Sequence, residues 1–191
     1  MPYPAKLTPD SVVQAALVLL DGGGQTALNM RPLAAALGVQ PSSLYRHFPD
    51  RGALLSALED GAACELAQRL SASSAGLPPR EALTALSLAY LDYARTCPHR
   101  YGLLLSERPP QPSTPSPSKD LWNAVKDAVS ALSGVSDDTA RTVALWAYLH
   151  GFAVLERSGL FGLSGPRGGF ETGLGALLDE MERGAAESGA R

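Results

Sequence analysis

The sequence predicts an all-α protein in two parts, an N-terminal unit of three short helices followed by a larger helical bundle. Three observations carry that prediction. Apolar residues recur at steps of 3 and 4 in nearly every long segment, the spacing that puts them on one face of a helix. The segment ends hold helix-starting and helix-stopping residues, as in Thr8-Pro9-Asp10, Cys97-Pro98 and Asp137-Asp138. Between Asn29 and Leu58, finally, two short helical runs are split by Leu37-Gly38-Val39, which is a helix-turn-helix pattern.

In the first helix Thr8 caps, Pro9 occupies the first turn and Asp10 complements the positive end of the dipole. Val12, Val13, Ala16, Leu17 and Leu20 form its stripe, and Gly22-Gly23-Gly24 is expected to end it. Asn29 should cap the second helix, in which Leu33, Ala34 and Leu37 share a narrow face. Gly38 can take the positive φ that turns the chain into the third helix. That helix opens at Pro41, though Gln40 is a weaker cap than Ser or Thr. Leu44 and Phe48 point inward, whereas Ser42, Ser43, Tyr45, Arg46 and His47 put hydroxyls, a guanidinium and an imidazole on the exposed side. Such groups bond phosphates and base edges without a buried partner. Pro49 stops the helix, and Asp50 is placed to cap a longer one starting at Arg51.

Leu33-Ala34, Leu37-Gly38-Val39, the run from Leu44 to Arg51 and Leu54-Leu55 together resemble the tetracycline-repressor (TetR) family of bacterial transcription regulators. The likeness covers about the first third of the chain, and beyond it only helical character matches. Gly52 departs from the family, standing where an acidic or helix-favouring residue is usual. The resemblance implies a double-stranded DNA operator as partner, with Arg31 at the major groove or its flanking phosphates. Tyr45 and Arg51 are then assigned to phosphates, and Ser42, Ser43 and Arg46 to bases. His47 reads either as a DNA contact or as a packed ring bonded to the backbone, and Lys6 as a phosphate contact or part of a disordered tail.

From Arg51 to about Ser71, Leu54, Leu55, Leu58, Ala62, Leu66 and Leu70 keep helical spacing, so one rod can belong to both parts; in the family this helix transmits the ligand's effect. The domains are therefore placed at 1–52 for DNA binding and 53–191 for ligand binding and dimerisation. A fifth helix carries Leu83, Leu86, Tyr90, Leu91 and Ala94, with Tyr93 beside them, and a shorter sixth holds Tyr101, Leu104 and Leu105. Residues 106–119, with five prolines and no large apolar side chain, read as a mobile loop, either a tolerated insertion or a ligand gate. Leu121, Trp122, Val125, Val129 and Leu132 resume the period, followed by an apolar helix through Trp146, Phe152 and Leu155. The last helix carries Phe170, Leu174, Leu177, Leu178 and Met181.

The last two helices hold more apolar surface than one small bundle covers, which predicts a two-fold four-helix dimer interface. Its expected residues are Gly151, Leu155, Phe170, Leu174, Leu177, Leu178 and Met181, with small Ala153, Gly173 and Gly175 allowing close approach. A pocket for a small apolar or aromatic effector is expected between the fifth and eighth helices, drawn from Tyr90, Tyr93, Tyr101, Trp122, Trp146, His150 and Phe152. Taken singly, each of these aromatics reads as ordinary core before it reads as a ligand contact, because a helical bundle needs such residues regardless.

Composition bounds the rest. The 191 residues, 45% hydrophobic, suffice for a small DNA-binding unit and one larger bundle. The net charge of −3 hides an asymmetry: residues 1–52 carry +1 and the remaining 139 carry −4. DNA affinity must then come from a few placed cations and backbone N–H groups, doubled in a dimer. Cys64 and Cys97 have no metal-ligand spacing, so no structural metal and no cofactor are expected. No signal peptide or membrane-spanning run is read, which predicts a cytoplasmic chain with reduced thiols. No Ser/His/Asp set, paired carboxylates or phosphate-binding glycine loop suggests an enzyme. The expected function is a homodimeric, effector-released repressor of a pseudo-palindromic operator; the competing one is a helical protein-binding module without small-ligand response.

Overall fold

The structure, a computed structural model, describes residues 7–105 and 116–189, with side chains through residue 184. All the regular elements among these residues are helices: α1 (Pro9–Ala27), α2 (Met30–Ala36), α3 (Pro41–Leu44), α4 (Arg51–Ser74), α5 (Pro79–Thr96), α6 (Pro98–Leu103), α7 (Pro117–Ser133), α8 (Thr139–Arg157) and α9 (Gly169–Gly189). The expected all-α class is the observed one.

The chain divides into two compact units, but not at the expected boundary of 52/53. Unit 1 has residues 7–63 and 97–105 in its described part, and unit 2 has 64–96 and 116–189. The break falls inside α4, eleven residues later than expected, because Leu54 and Leu58 complete the core of unit 1. Helix α6 returns to unit 1 because it packs on α1. Leu103 enters the same core, and the Arg100 Nη2 pairs with Asp21 Oδ2 at 2.6 Å. Neither link spans adjacent sequence, so periodicity could not reveal it.

In unit 1, Val12, Ala16 and Leu20 of α1 meet Leu28, Met30, Leu33 and Leu44 in one core. The Thr8 hydroxyl accepts from Ser11 N–H at 3.2 Å and the Ser11 hydroxyl accepts from Thr8 N–H at 3.0 Å, a reciprocal cap. The glycine run does not end α1 where expected. Gly22 and Gly23 remain helical, the break comes at Gly24, with φ 68° and ψ −168°, and a last turn follows to Ala27. That conformation is open essentially to glycine alone.

In unit 2, α7 packs on α5, α8 and α9, and α8 packs on α5 and α9. The core is Leu83, Leu86, Val125, Val129, Leu145, Leu149, Phe170, Leu174, Leu178 and Met181, all buried. The start of α7 overlaps the expected loop 106–119. Ser116 caps it by accepting from Lys119 N–H at 3.3 Å, and Pro117 takes the first turn. The other residues of that loop, 106–115, lie outside the described residues, as does Lys6.

Candidate nucleic-acid interface

Helix α2 ends in a Schellman motif. Gly38, at φ 65°, donates to Ala35 O at 3.1 Å, and Val39 donates to Ala34 O at 3.0 Å. The turn aims the chain into α3, which is α-helical for only four residues. The helix ends at Leu44, before the expected stop at Pro49; residues 45–47 form a turn, and Pro49 disfavours helical geometry only in Phe48. Leu44 O accepts from both His47 and Phe48 N–H at 2.9 Å. Gln40 makes no side-chain cap, as its type suggested. Asn29 makes none either; its Nδ2 donates backwards to Thr26 O at 3.1 Å, which corrects the expected forward cap.

Side chains separate by face as the spacing required. Leu44 and Phe48 are buried, Ser42, Tyr45 and Arg46 are exposed, and Ser43 and His47 are half-buried. Arg31 is exposed on α2. Arg31 and Tyr45 border one shallow cleft of about 490 Å³, with Asn29, Asp50 and Arg51 on its other walls. Asp50 caps α4, its Oδ1 accepting from Ala53 N–H at 2.7 Å.

Arg51 is the exception. Its Nε donates to Leu28 O at 2.8 Å and its Nη2 to Gln25 O at 2.6 Å, so the guanidinium expected on a phosphate is bonded inside unit 1. Charge-assisted bonds of this kind contribute about 1.5–3 kcal/mol each.

The expected ligand residues come together only in part. Tyr90, Trp122, Trp146 and His150 form one cluster among α5, α7 and α8. The Trp146 ring lies 5.8 Å from Tyr90 and 6.0 Å from Trp122, and the Tyr90 hydroxyl is 3.0 Å from His150 Nδ1. Phe152 lies instead with Tyr148, Phe161 and Phe170, at ring separations of 4.9 to 6.2 Å. Tyr93 turns to α4, with the Arg69 guanidinium 5.0 Å from its ring centroid and its hydroxyl donating to Glu65 Oε2 at 3.5 Å. Tyr101 is buried and belongs to unit 1. Helical spacing put these aromatics on faces but could not say which helix each face meets.

Burial holds the His150 imidazole below its ordinary value of 6.5. The neutral ring then accepts the Tyr90 O–H at Nδ1 when its own proton sits on Nε2. A lowered folded-state value means that the unfolded chain binds the proton first as pH falls. The contribution is therefore complete above about pH 6.5 and is lost as pH drops through the folded-state value. We expect thermal unfolding of His150→Gln to show less pH dependence than the parent just below pH 6.5, measured by circular dichroism; equal dependence would rule this out.

A cleft that sequence reasoning missed lies between α4 and α7, with a volume of about 540 Å³. Cys64, Ala67 and Ser71 of α4 and Ala75 just past its end face Pro117 and Ala124 of α7, with Gln68 and Asp120 at the walls. Its signal in the sequence was the repeat of small side chains at steps of 3 and 4, where a packed helix would carry Leu.

Four of the seven expected dimer residues are corrected. Phe170, Leu174, Leu178 and Met181 are no more than 3% exposed and fill the core of unit 2. Gly173 lies beneath the Tyr148 ring of the same chain. Leu155 is exposed, Gly151 and Leu177 are half-buried, and Val143 and Val154 add exposed apolar surface on α8.

Among the described residues, no group of three His, Cys, Asp or Glu side chains could hold a metal ion. None of the described helices is long and apolar enough to cross a membrane.

Residues 12–58 match the family model described as bacterial regulatory proteins, tetR family, and residues 83–177 match that described as tetracyclin repressor-like, C-terminal domain. An uncharacterized HTH-type transcriptional regulator of Mycobacterium tuberculosis is 31% identical over 161 residues, covering 82% of this chain and 73% of its own. Among solved structures, TetR from Acinetobacter baumannii in complex with minocycline is 26% identical with a TM-score of 0.65, over 93% of this chain and 98% of that one. A Rhodococcus protein of unknown function shares the fold with a TM-score of 0.76 at 22% identity, over 96% and 98% of the two chains.

Proposed function

The chain belongs to the TetR family of transcription regulators and carries its DNA-binding domain, and from that premise we propose that it is a cytoplasmic homodimeric repressor released by a small apolar or aromatic effector. The observation that supports this reading best is the sorting of α3 and the turn after it, with Leu44 and Phe48 buried behind an exposed Ser42, Tyr45 and Arg46. Arg31 and Tyr45 border one open cleft. In this reading Arg31 and Tyr45 hold phosphates, while Ser42, Ser43 and Arg46 meet base edges and His47 assists from the flank. A dimer sets two such surfaces about 34–36 Å apart on successive major-groove faces of a pseudo-palindrome. The exposed α8 face with Val143, Val154 and Leu155, together with Leu177 of α9, supports the pairing of two copies.

Release by an effector is supported by two features of unit 2. The α4–α7 cleft lies within the ~300–1,000 Å³ range of small-molecule sites, and the cluster of Tyr90, Trp122, Trp146 and His150 suits a flat apolar compound. One wall of the cleft is α4, the helix that continues into unit 1. The Acinetobacter baumannii TetR protein is in complex with minocycline, which favours a small-molecule effector for this chain as well.

Selection among random DNA sequences tests the assignment of bases. Arg46→Ala and Ser43→Ala are expected to relax preference at defined positions, at about 1–3 kcal/mol for a lost bidentate contact. Equal losses on selected and random DNA for both variants would show that α3 does not read bases.

A further inference from the structure

Helix α1 ends with no basic residue in its last turn, although the carbonyls there carry the negative end of the helix dipole; the Gln25 carbonyl accepts the backbone N–H of Leu28 at 3.3 Å, and a carbonyl oxygen has two lone pairs. The missing cation comes from far along the chain. Arg51 opens α4 and donates from one edge of its guanidinium, Nε to Leu28 O at 2.8 Å and Nη2 to Gln25 O at 2.6 Å. Gln25 directly follows the backbone break at Gly24, and Leu28 directly precedes Asn29, the residue before α2. The same side chain forms a wall of the cleft that Arg31 and Tyr45 border.

We propose that Arg51 is a positioning residue of the DNA-reading surface: its fork clamps the end of α1 and the start of α2 to the N-terminus of α4, and the phosphate contacts on this edge fall to Arg31 and Tyr45. The inference rests on the DNA-binding reading above, and it assigns Arg51 a role opposite to the one its charge suggests. A fork with two N–H groups on one edge matches the two carbonyls of Gln25 and Leu28, which a lysine ammonium, as a compact point charge, does not reproduce. A phosphate contact makes no such distinction, because lysine holds a phosphate well.

Arg51→Ala and Arg51→Lys, each studied as the full chain, separate the two roles. The clamp predicts that both lower operator affinity by about tenfold to a hundredfold, the loss carried by one or two charge-assisted bonds. It also predicts that the slope of log affinity against log salt stays at the parent value. A phosphate contact predicts that Arg51→Ala flattens that slope by about 0.9 per subunit and that Arg51→Lys restores affinity. Either result overturns the proposal. Thermal unfolding without DNA supplies the second readout. The clamp requires both variants to unfold at lower temperature than the parent, and an unchanged midpoint for Arg51→Lys contradicts it. Should the parent show no salt-dependent DNA binding, the DNA reading fails while this readout still decides the clamp.

Discussion

Leu44→Ala is expected to destabilise unit 1 by about 2–5 kcal/mol, the range for removing a fully buried leucine, and to abolish operator binding at temperatures where the parent still binds. Leu44 has no exposed surface and is the only buried residue within α3. Its backbone carbonyl also closes the turn by accepting from His47 and Phe48. A four-residue helix has almost no stability of its own, so its position depends on this side chain entering the core to which Leu20, Leu28 and Leu33 also belong. Truncation leaves a cavity under the reading surface and frees α3 to shift, which costs stability and affinity together. Chemical denaturation and operator binding measured on the same variant check the prediction. A loss below about 1 kcal/mol would mean that α3 is held by other contacts.

Gly24→Ala carries the second large effect, for a different reason. The backbone at φ 68° and ψ −168° costs an L-residue on the order of 1–3 kcal/mol. An added methyl group would also meet the His99 ring, with Nδ1 at 3.2 Å and Cε1 at 3.3 Å. The two costs separate in a double variant. His99→Ala removes the ring but leaves the backbone strain, so it should rescue Gly24→Ala only in part. Full rescue in a denaturation cycle would mean that the strain is negligible; no rescue would mean that the ring yields freely. The break matters for function because it sets the last turn of α1, on which the Arg51 fork closes.

What was legible in the sequence follows from range. Local devices were readable because their partners lie within a few residues: the Thr8 cap, the turn at Gly38 and the Asp50 cap. Long-range partners were not. The positive charge of Arg51 announces a cation but not that its acceptors are carbonyls of Gln25 and Leu28. The α9 stripe through Phe170, Leu174, Leu178 and Met181 was plainly apolar, but periodicity cannot tell a face that completes the chain's own core from one that meets a second copy. Burial decides for the core. The α4–α7 cleft went unseen for the converse reason, since small side chains mark close packing and open space alike. The exposed side of α3 and of the turn after it was legible because Leu44 and Phe48, four residues apart, turn inward together.

The most direct test of the central claim is a footprint of the purified protein on the DNA upstream of its own gene, followed by a salt titration at the protected site. The predicted result is protection of a pseudo-palindrome with two subunits bound and an affinity that falls steeply as salt rises. No protection at low salt, on that DNA or on a library of random sequence, would contradict it.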